Sequence, residues 1–165
     1  MREKFENQII TQTTMSDKEE SKIPLIGWTD ATWAFMTLRL FLGFRALLAG
    51  VEKFELDGTY SMANYYANMR RMGEGIASSS FRPEFLTLPY AYTLGHFLVV
   101  LGLLLLLGVR TRLMIILSGL TYVSLAIGLM AVQETGGIAW LAIHVALSAG
   151  ALLLVKHNRL SLTRN

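Results

Sequence analysis

The chain has 165 residues, of which 53% are apolar, and a formal net charge of +3. It contains no cysteine, which excludes disulfides, thiol redox chemistry and thiolate metal sites on this chain. The basic residues are scattered and no phosphate-binding glycine loop or hydrolase nucleophile motif occurs, so we predict neither a nucleic-acid partner nor a metal site.

The two ends of the chain are predicted to be cytoplasmic tails, over residues 1–30 and 157–165. Residues 1–22 mix both charge signs and hold few large apolar groups, a composition typical of disorder and unlike that of a signal peptide. A second methionine, Met15, offers a shorter start.

Four apolar segments occupy most of the chain between the tails, at residues 31–51, 90–107, 113–132 and 138–155. Each comes close to the roughly 20 apolar residues that a membrane-spanning helix needs. We therefore predict an all-α fold, an integral membrane four-helix bundle over residues 31–156 in a lipid bilayer. With both termini inside, nine basic residues of the connecting segments face the cytoplasm and four face outward. The positive-inside rule then places both termini on the cytoplasmic side of an inner membrane.

The long connection between the first and second spans is predicted to lie outside and to carry an amphipathic helix at residues 61–72. Large apolar side chains fall on one side of that helix, at Met62, Tyr65, Tyr66 and Met69. Gly73 and Gly75 are expected to end the helix, and Pro83 and Pro89 to mark turns before the second span.

Small residues at intervals of three or four predict two packing faces, because they let helix backbones approach closely. One face lies on the first span and comprises Arg39, Gly43, Ala46, Gly50 and Lys53. The other lies on the fourth span and comprises Ala142, Ala146 and Gly150. Arg39 is expected to reach a membrane surface or to pair with Asp30.

Three ionisable residues inside the spans point to a functional site. Arg45 lies six residues before the outer end of the first span, and His96 and His144 lie six residues after the outer ends of the second and fourth. The rise of an α-helix puts all three roughly 9 Å below the outer boundary. Such groups usually face a bundle interior, a partner or a cavity. Because Glu52 follows Arg45 on the same side of its helix, the sequence predicts one outward-opening pocket formed by these four residues.

A quinone head group suits such a pocket, since its carbonyls need hydrogen-bond donors and its reduction needs protons. We assign His96 and His144 as catalytic proton carriers, and these two with Arg45 and Glu52 as quinone-binding residues. Other interpretations stay open. Each histidine alone is also typical of a polar contact between helices, and Glu52 with Lys53 of a solvated ion pair. Two histidines can ligate a haem axially, but the spacing is weak evidence for that.

Two motifs resemble those of the DoxX-like membrane proteins. Residues 38–43, Leu-Arg-Leu-Phe-Leu-Gly, and 49–54, Ala-Gly-Val-Glu-Lys-Phe, are similar to the first-helix pattern of that family. The basic turn Gly-Val-Arg-Thr-Arg at 108–112 is similar to its entry into the third span. The long loop is most similar to that of the DoxD type, the small membrane subunit of thiosulfate:quinone oxidoreductase. The resemblance covers about residues 33–155. It implies a four-helix subunit of quinone-linked redox metabolism that acts with a partner.

The expected function is therefore the quinone-facing membrane subunit of an oxidoreductase. The alternative is a non-enzymatic membrane scaffold or assembly protein for a redox partner, and a homo-oligomer is compatible with both. A solute carrier is disfavoured because no span is interrupted midway. The residues leave open whether the chain is catalytic alone, since it has no cysteine for sulfur chemistry.

Overall fold

The computed structural model describes residues 22–23, 27–79 and 83–163. The described part contains five α-helices: α1 Asp30–Val51, α2 Met62–Ser79, α3 Glu84–Leu107, α4 Thr111–Ala131 and α5 Thr135–Leu154. Short 3₁₀ turns continue α1 and α5, at Glu52–Phe54 and Val155–His157. Of the predicted N-terminal tail, residues 1–21 and 24–26 lie outside the described residues.

Two small antiparallel pairings flank the first helix. Strands β1 Lys22–Ile23 and β2 Trp28–Thr29 pair just before α1, within the segment predicted as a tail. Strands β3 Glu55–Leu56 and β4 Thr59–Tyr60 pair between the 3₁₀ turn and α2. The Thr29 side chain accepts a hydrogen bond from the Thr32 amide and so caps α1.

Helices α1, α3, α4 and α5 are each long and apolar enough to cross a membrane. The all-α prediction is confirmed, and the fold fits a multi-pass membrane protein in a lipid bilayer. The helices begin and end within three residues of the predicted spans, except for α3, which starts six residues earlier.

The early start of α3 corrects the prediction that Pro89 marks a turn. Pro83 does precede the helix, with an extended backbone, but Pro89 lies inside it. A proline has no backbone N–H, so the Phe85 carbonyl loses the hydrogen bond that residue 89 would otherwise donate to it within the helix. Phe85 is 73% exposed, so its carbonyl can be satisfied from outside the protein. The side chain of Thr93 donates to the Pro89 carbonyl at 3.0 Å.

Helix α2 continues past its predicted end at residue 72, so that Gly73 and Gly75 lie within it. A Cβ atom at Gly73 would lie 2.8 Å from the Leu88 side chain of α3. The glycine therefore allows a close helix contact and does not break the helix. Tyr65 and Met69 are buried as predicted, whereas Met62 and Tyr66, expected on the same face, are more than half exposed.

Helix α1 packs on α3 through the predicted small-residue face. Its residues Arg39, Gly43, Ala46 and Gly50 are all buried. A Cβ atom at Gly50 would lie 2.7 Å from the Val99 side chain, and one at Gly102 would lie 2.5 Å from the Leu47 amide nitrogen. The two backbones thus meet at a distance that only glycine permits, and this prediction is confirmed.

The four spans form a ring in which α1 and α4 each contact both α3 and α5. Helix α2 packs mainly on α3 and on the 3₁₀ turn after α1, and it also reaches α4. We call the end of the bundle that carries α2 the loop-helix end, and the opposite end, where residues 158–163 lie, the terminal end.

Arg39 ties the terminal end together, contrary to the expectation that it reaches a membrane surface or pairs with Asp30. Its side chain is 3% exposed and donates to Asn158 Oδ1 at 2.8 Å and to the Leu160 carbonyl. Asp30 is nine residues away, about 13 Å along the helix, which is too far for an ion pair. Asn158 in turn donates to the Thr111 hydroxyl at 2.9 Å. The predicted C-terminal tail is therefore docked at its start.

Candidate functional site: a cationic cavity under the loop helix

A cavity of about 620 Å³ opens at the loop-helix end. All five helices and the 3₁₀ turn after α1 contribute to its lining, so it lies inside the ring of spans. Most of its wall is apolar, formed by Met72, Ile76, Leu125, Leu129, Val132 and Leu141. Its volume is within the range typical of small-molecule sites.

Three cations line this otherwise apolar cavity: Arg45 from α1, Lys53 from the 3₁₀ turn and Arg71 from α2. Among the described residues, no acidic side chain is part of the lining. Within that same part of the chain, the ion pair that forms is between Arg70 and Glu74, at 2.6 Å, and involves none of the three. The cavity therefore has a positive potential that the described protein does not neutralise.

Arg45 is the predicted site residue that lines the cavity. It is exposed at the cavity although it lies within a span. A guanidinium in this position can donate several hydrogen bonds to one ligand head group.

His144 lies beside the cavity wall and is not part of the lining. It is 4% exposed, and its ring lies 4.9 Å from that of Tyr122 and 5.8 Å from that of Phe41. Its Nδ1 lies 2.7 Å from the Trp140 carbonyl oxygen, one turn earlier in α5. A carbonyl only accepts, so Nδ1 carries a proton, and Nε2 has no hydrogen-bond partner among the described residues.

His96 belongs to a different cluster, where α2 contacts α3. Its ring lies 4.5 Å from that of Tyr65 and 5.5 Å from that of Phe54, with edge-to-face geometry. The prediction that His96, His144 and Arg45 converge on one pocket is therefore wrong. Equal depth sets the height of a residue in the bundle, but its direction around the helix axis changes by about 100° per residue.

Glu52 is exposed and does not line the cavity, whereas its neighbour Lys53 does. Glu52 begins the 3₁₀ turn at Glu52–Phe54, in which Lys53 is the residue that reaches the cavity. The placement of Glu52 beside Arg45 is therefore wrong.

A buried polar group between α4 and α5 escaped the sequence analysis. The hydroxyls of Ser118 and Tyr122 and Nε2 of His144 are buried. The two hydroxyls are close enough to interact with each other, whereas Nε2 has no hydrogen-bond partner among the described residues. Ser118 and Tyr122 are one turn apart on α4, and His144 and Ser148 are one turn apart on α5. In each pair the two residues are four apart in the sequence, and this spacing is the signal by which the group could have been found. Buried polar atoms are nearly always bonded, so this group is a place for a water molecule or a ligand atom.

Helix α2 is fastened over the cavity by side-chain hydrogen bonds. Tyr65 donates its hydroxyl to the Tyr92 carbonyl at 2.6 Å. Burial raises the pKa of that hydroxyl, which keeps it protonated as a donor at physiological pH. Asn68 donates to the carbonyls of Lys53 and Glu55, at 3.2 and 2.8 Å. These contacts hold Arg71, one turn further along α2, at the cavity.

The chain matches no family model, and no curated protein or solved structure is significantly similar to it. The resemblance to the DoxX-like proteins rests on residues 38–43, 49–54 and 108–112. In the structure the first and third of these motifs meet at the terminal end, whereas residues 49–54 lie at the loop-helix end. Arg39 lies within hydrogen-bond distance of the Leu106 carbonyl, at 3.5 Å, and its Nη1 would lie 3.1 Å from a Cβ atom at Gly108.

Proposed function

We propose that this protein is the quinone-facing membrane subunit of a DoxX-like oxidoreductase and that its cavity holds the quinone head group. The observation that carries the proposal is the Arg45 side chain at an open, largely apolar cavity to which all five helices contribute. Quinone carbonyls accept hydrogen bonds, and in a site of low dielectric one or two charged donors are enough to orient the head.

The cavity reaches the bundle surface at Trp140, which lines it and is 66% exposed. An apolar quinone tail would leave by this side towards the lipid. Tyr90, whose hydroxyl bonds Ser124 at 2.8 Å, provides a second aromatic surface against which a flat head group can stack.

Protons for quinone reduction would come through Tyr122 and His144. The Tyr122 ring adjoins that of His144, with 4.9 Å between the ring centroids. Nε2 of His144 and the Tyr122 hydroxyl, both buried behind the cavity wall, are the proton-exchanging atoms that this route would use. In this proposal His96 and Glu52 have no contact with the quinone, and His96 supports the seat of α2.

The proposal includes an orientation. The loop-helix end, with α2, lies on the outer side of the inner membrane, and both termini lie in the cytoplasm. The distribution of basic residues supports it, with nine of them on the terminal side and four on the loop side.

Binding of a short-chain benzoquinone to the protein in nanodiscs tests the proposal. Arg45→Leu should weaken binding by roughly tenfold to a hundredfold, because a hydrogen bond to a charged group contributes about 1.5–3 kcal/mol. Arg159→Leu is the matched control, since Arg159 is exposed at the terminal end. Equal affinities of the parent and Arg45→Leu would contradict the proposal.

A second candidate function, the scaffold for a redox partner, is favoured by the exposure of α5. In its most apolar stretch 17% of residues are buried, against 39% in each of the other spans. Ala142 and Ala146, which belong to the predicted packing face of this helix, are exposed. A face of small residues in a membrane helix is suited to close contact with another helix.

A further inference from the structure

We infer that the cavity binds its ligand as an anion: an amphipathic molecule with a negatively charged head and an apolar body. The inference deepens the proposed function, because it adds that the quinone binds best in an ionised form. It stands without that function if the amphipathic anion is not a quinone.

The charges of the lining carry the inference. Arg45, Lys53 and Arg71 come from three different elements and face one cavity, where the described lining holds no carboxylate. Arg45 lies within a span, where a cation is unfavourable unless it has a counter-ion or water, and the three cations repel one another. A bound anion offsets both effects, whereas a neutral head group supplies no counter-charge.

The positions of the cations are built into the fold. Arg71 follows directly after Arg70, but Arg70 points away from the cavity and pairs with Glu74. Helix α2 therefore neutralises one arginine and leaves the next facing the cavity. Lys53 is held in place through its backbone, because its carbonyl accepts a hydrogen bond from the side-chain amide of Asn68 in α2. The same hydrogen bond joins the elements that carry Lys53 and Arg71.

The apolar part of the lining excludes a free inorganic anion as the preferred ligand. Burial of methylene groups stabilises a complex, and an inorganic anion cannot obtain this gain. Two sources share the required chemistry: an ionised hydroxyquinone and an anionic lipid with a phosphate head group.

The test compares matched probes with the full chain in phosphatidylcholine nanodiscs. The first pair is an alkylated 2-hydroxy-1,4-naphthoquinone, which is ionised at neutral pH, and its uncharged O-methyl ether. Dodecyl phosphate and inorganic phosphate form the second pair. A repeat in nanodiscs that contain phosphatidylglycerol shows whether an anionic lipid competes for the cavity.

We expect the ionised naphthoquinone to bind at least tenfold more tightly than its ether, and dodecyl phosphate more tightly than inorganic phosphate. Arg71→Gln and Lys53→Met should each weaken the anions about tenfold and leave the ether unchanged. Arg71→Lys should retain most of the affinity, which separates loss of charge from loss of fold. Arg70→Gln is the matched control, because its side chain faces Glu74.

The outcomes separate the two proposals. If the ether and the anion bind equally and Arg71→Gln changes neither, the inference is overturned while the proposed function stands. If dodecyl phosphate binds with the same dependence on Arg71 but neither naphthoquinone binds, the inference stands, the quinone function fails, and competition by phosphatidylglycerol identifies a lipid as the source. If no probe binds, both fail. Equal binding of dodecyl and inorganic phosphate overturns the amphipathic part of the inference.

Discussion

The Tyr65 ring of α2 fits against Gly95 of α3, where a Cβ atom would lie 2.4 Å from Tyr65 Cε2. This contact, together with the hydrogen bond from Tyr65 to the Tyr92 carbonyl, determines where α2 crosses the bundle. Since α2 carries Arg71 and part of the apolar wall, the shape of the cavity depends on a glycine in a neighbouring span.

Gly95→Ala should therefore displace α2 and weaken ligand binding without touching the cavity. Overpacking of this kind typically lowers the free energy of unfolding by about 1–3 kcal/mol. Faster amide exchange in residues 62–79, measured by hydrogen–deuterium exchange in detergent, reports the displacement. Gly75→Ala is the control for amide exchange alone, because nothing lies within 4 Å of a Cβ atom there and alanine favours the helix, but Gly75 lines the cavity and is not a control for ligand binding. Unchanged exchange in Gly95→Ala would show that the seat of α2 does not depend on Gly95.

Arg39→Leu should release the residues after α5 from the terminal end. The substitution removes the donor for Asn158 Oδ1 and for the Leu160 carbonyl. Hydrogen bonds from a charged donor contribute about 1.5–3 kcal/mol, so we expect a loss of stability in that range. Protease cleavage after Arg159 and thermal unfolding measure the two effects. Arg110→Leu is the comparison, because it leaves intact the hydrogen bond that the Arg110 backbone N–H donates to the Thr163 hydroxyl. If cleavage at Arg159 is no faster in Arg39→Leu, the arginine does not anchor this segment.

His144→Phe should separate a catalytic role from a structural one. The His144 side chain bonds within its own helix, to Trp140, and its Nε2 has no partner in the described part of the chain. An aromatic replacement keeps the ring contacts with Phe41 and Tyr122 and removes a buried polar atom without a partner, so stability should change by less than about 1 kcal/mol. Quinone reduction should nevertheless be lost if His144 carries protons. A stable variant with full activity would rule out that role, and a strongly destabilised variant would indicate a structural contact.

The helices were predictable because length and hydropathy determine them directly, and α1, α4 and α5 begin within three residues of the expected positions. Pro89 and Gly73 misled the sequence analysis for one reason. Both residues interrupt isolated helices. At Pro89, however, the carbonyl that loses its hydrogen bond can be satisfied from outside the protein, and at Gly73 the Leu88 side chain leaves no room for a larger residue. Such tertiary contacts are not visible in a local pattern.

The candidate site was only partly predictable. Arg45 was found because a charge inside a span is conspicuous, whereas Lys53 and Arg71 lie in the connection, where basic residues are ordinary. Their role depends on the 3₁₀ turn after α1 and on the hydrogen bonds of α2, which bring two loop cations over the open end of the bundle. His96 shows the opposite error, because a residue at the same depth as Arg45 and His144 can still point in a different direction around its helix.

Ala142→Leu combined with Ala146→Leu tests the scaffold function. Larger side chains on this exposed face should block close contact with another helix and lower association by tenfold or more, with ligand binding in the cavity unchanged. Cross-linking in native membranes measures the association. Val123→Leu, at an exposed position of α4, is the control. Association that survives the double substitution would exclude this face as the contact surface.

The orientation of the bundle follows from the proposed distribution of basic residues and can be tested with single cysteines, because the chain has none of its own. Ala67→Cys places a thiol on the exposed face of α2, and Arg159→Cys places one at the terminal end. With both termini in the cytoplasm, a membrane-impermeant maleimide should label Ala67→Cys in intact cells and Arg159→Cys only after lysis. The reverse pattern would put the cavity on the cytoplasmic side. Anions would then reach Arg71 and Lys53 from the cell interior, and the electron donor would have to be sought there.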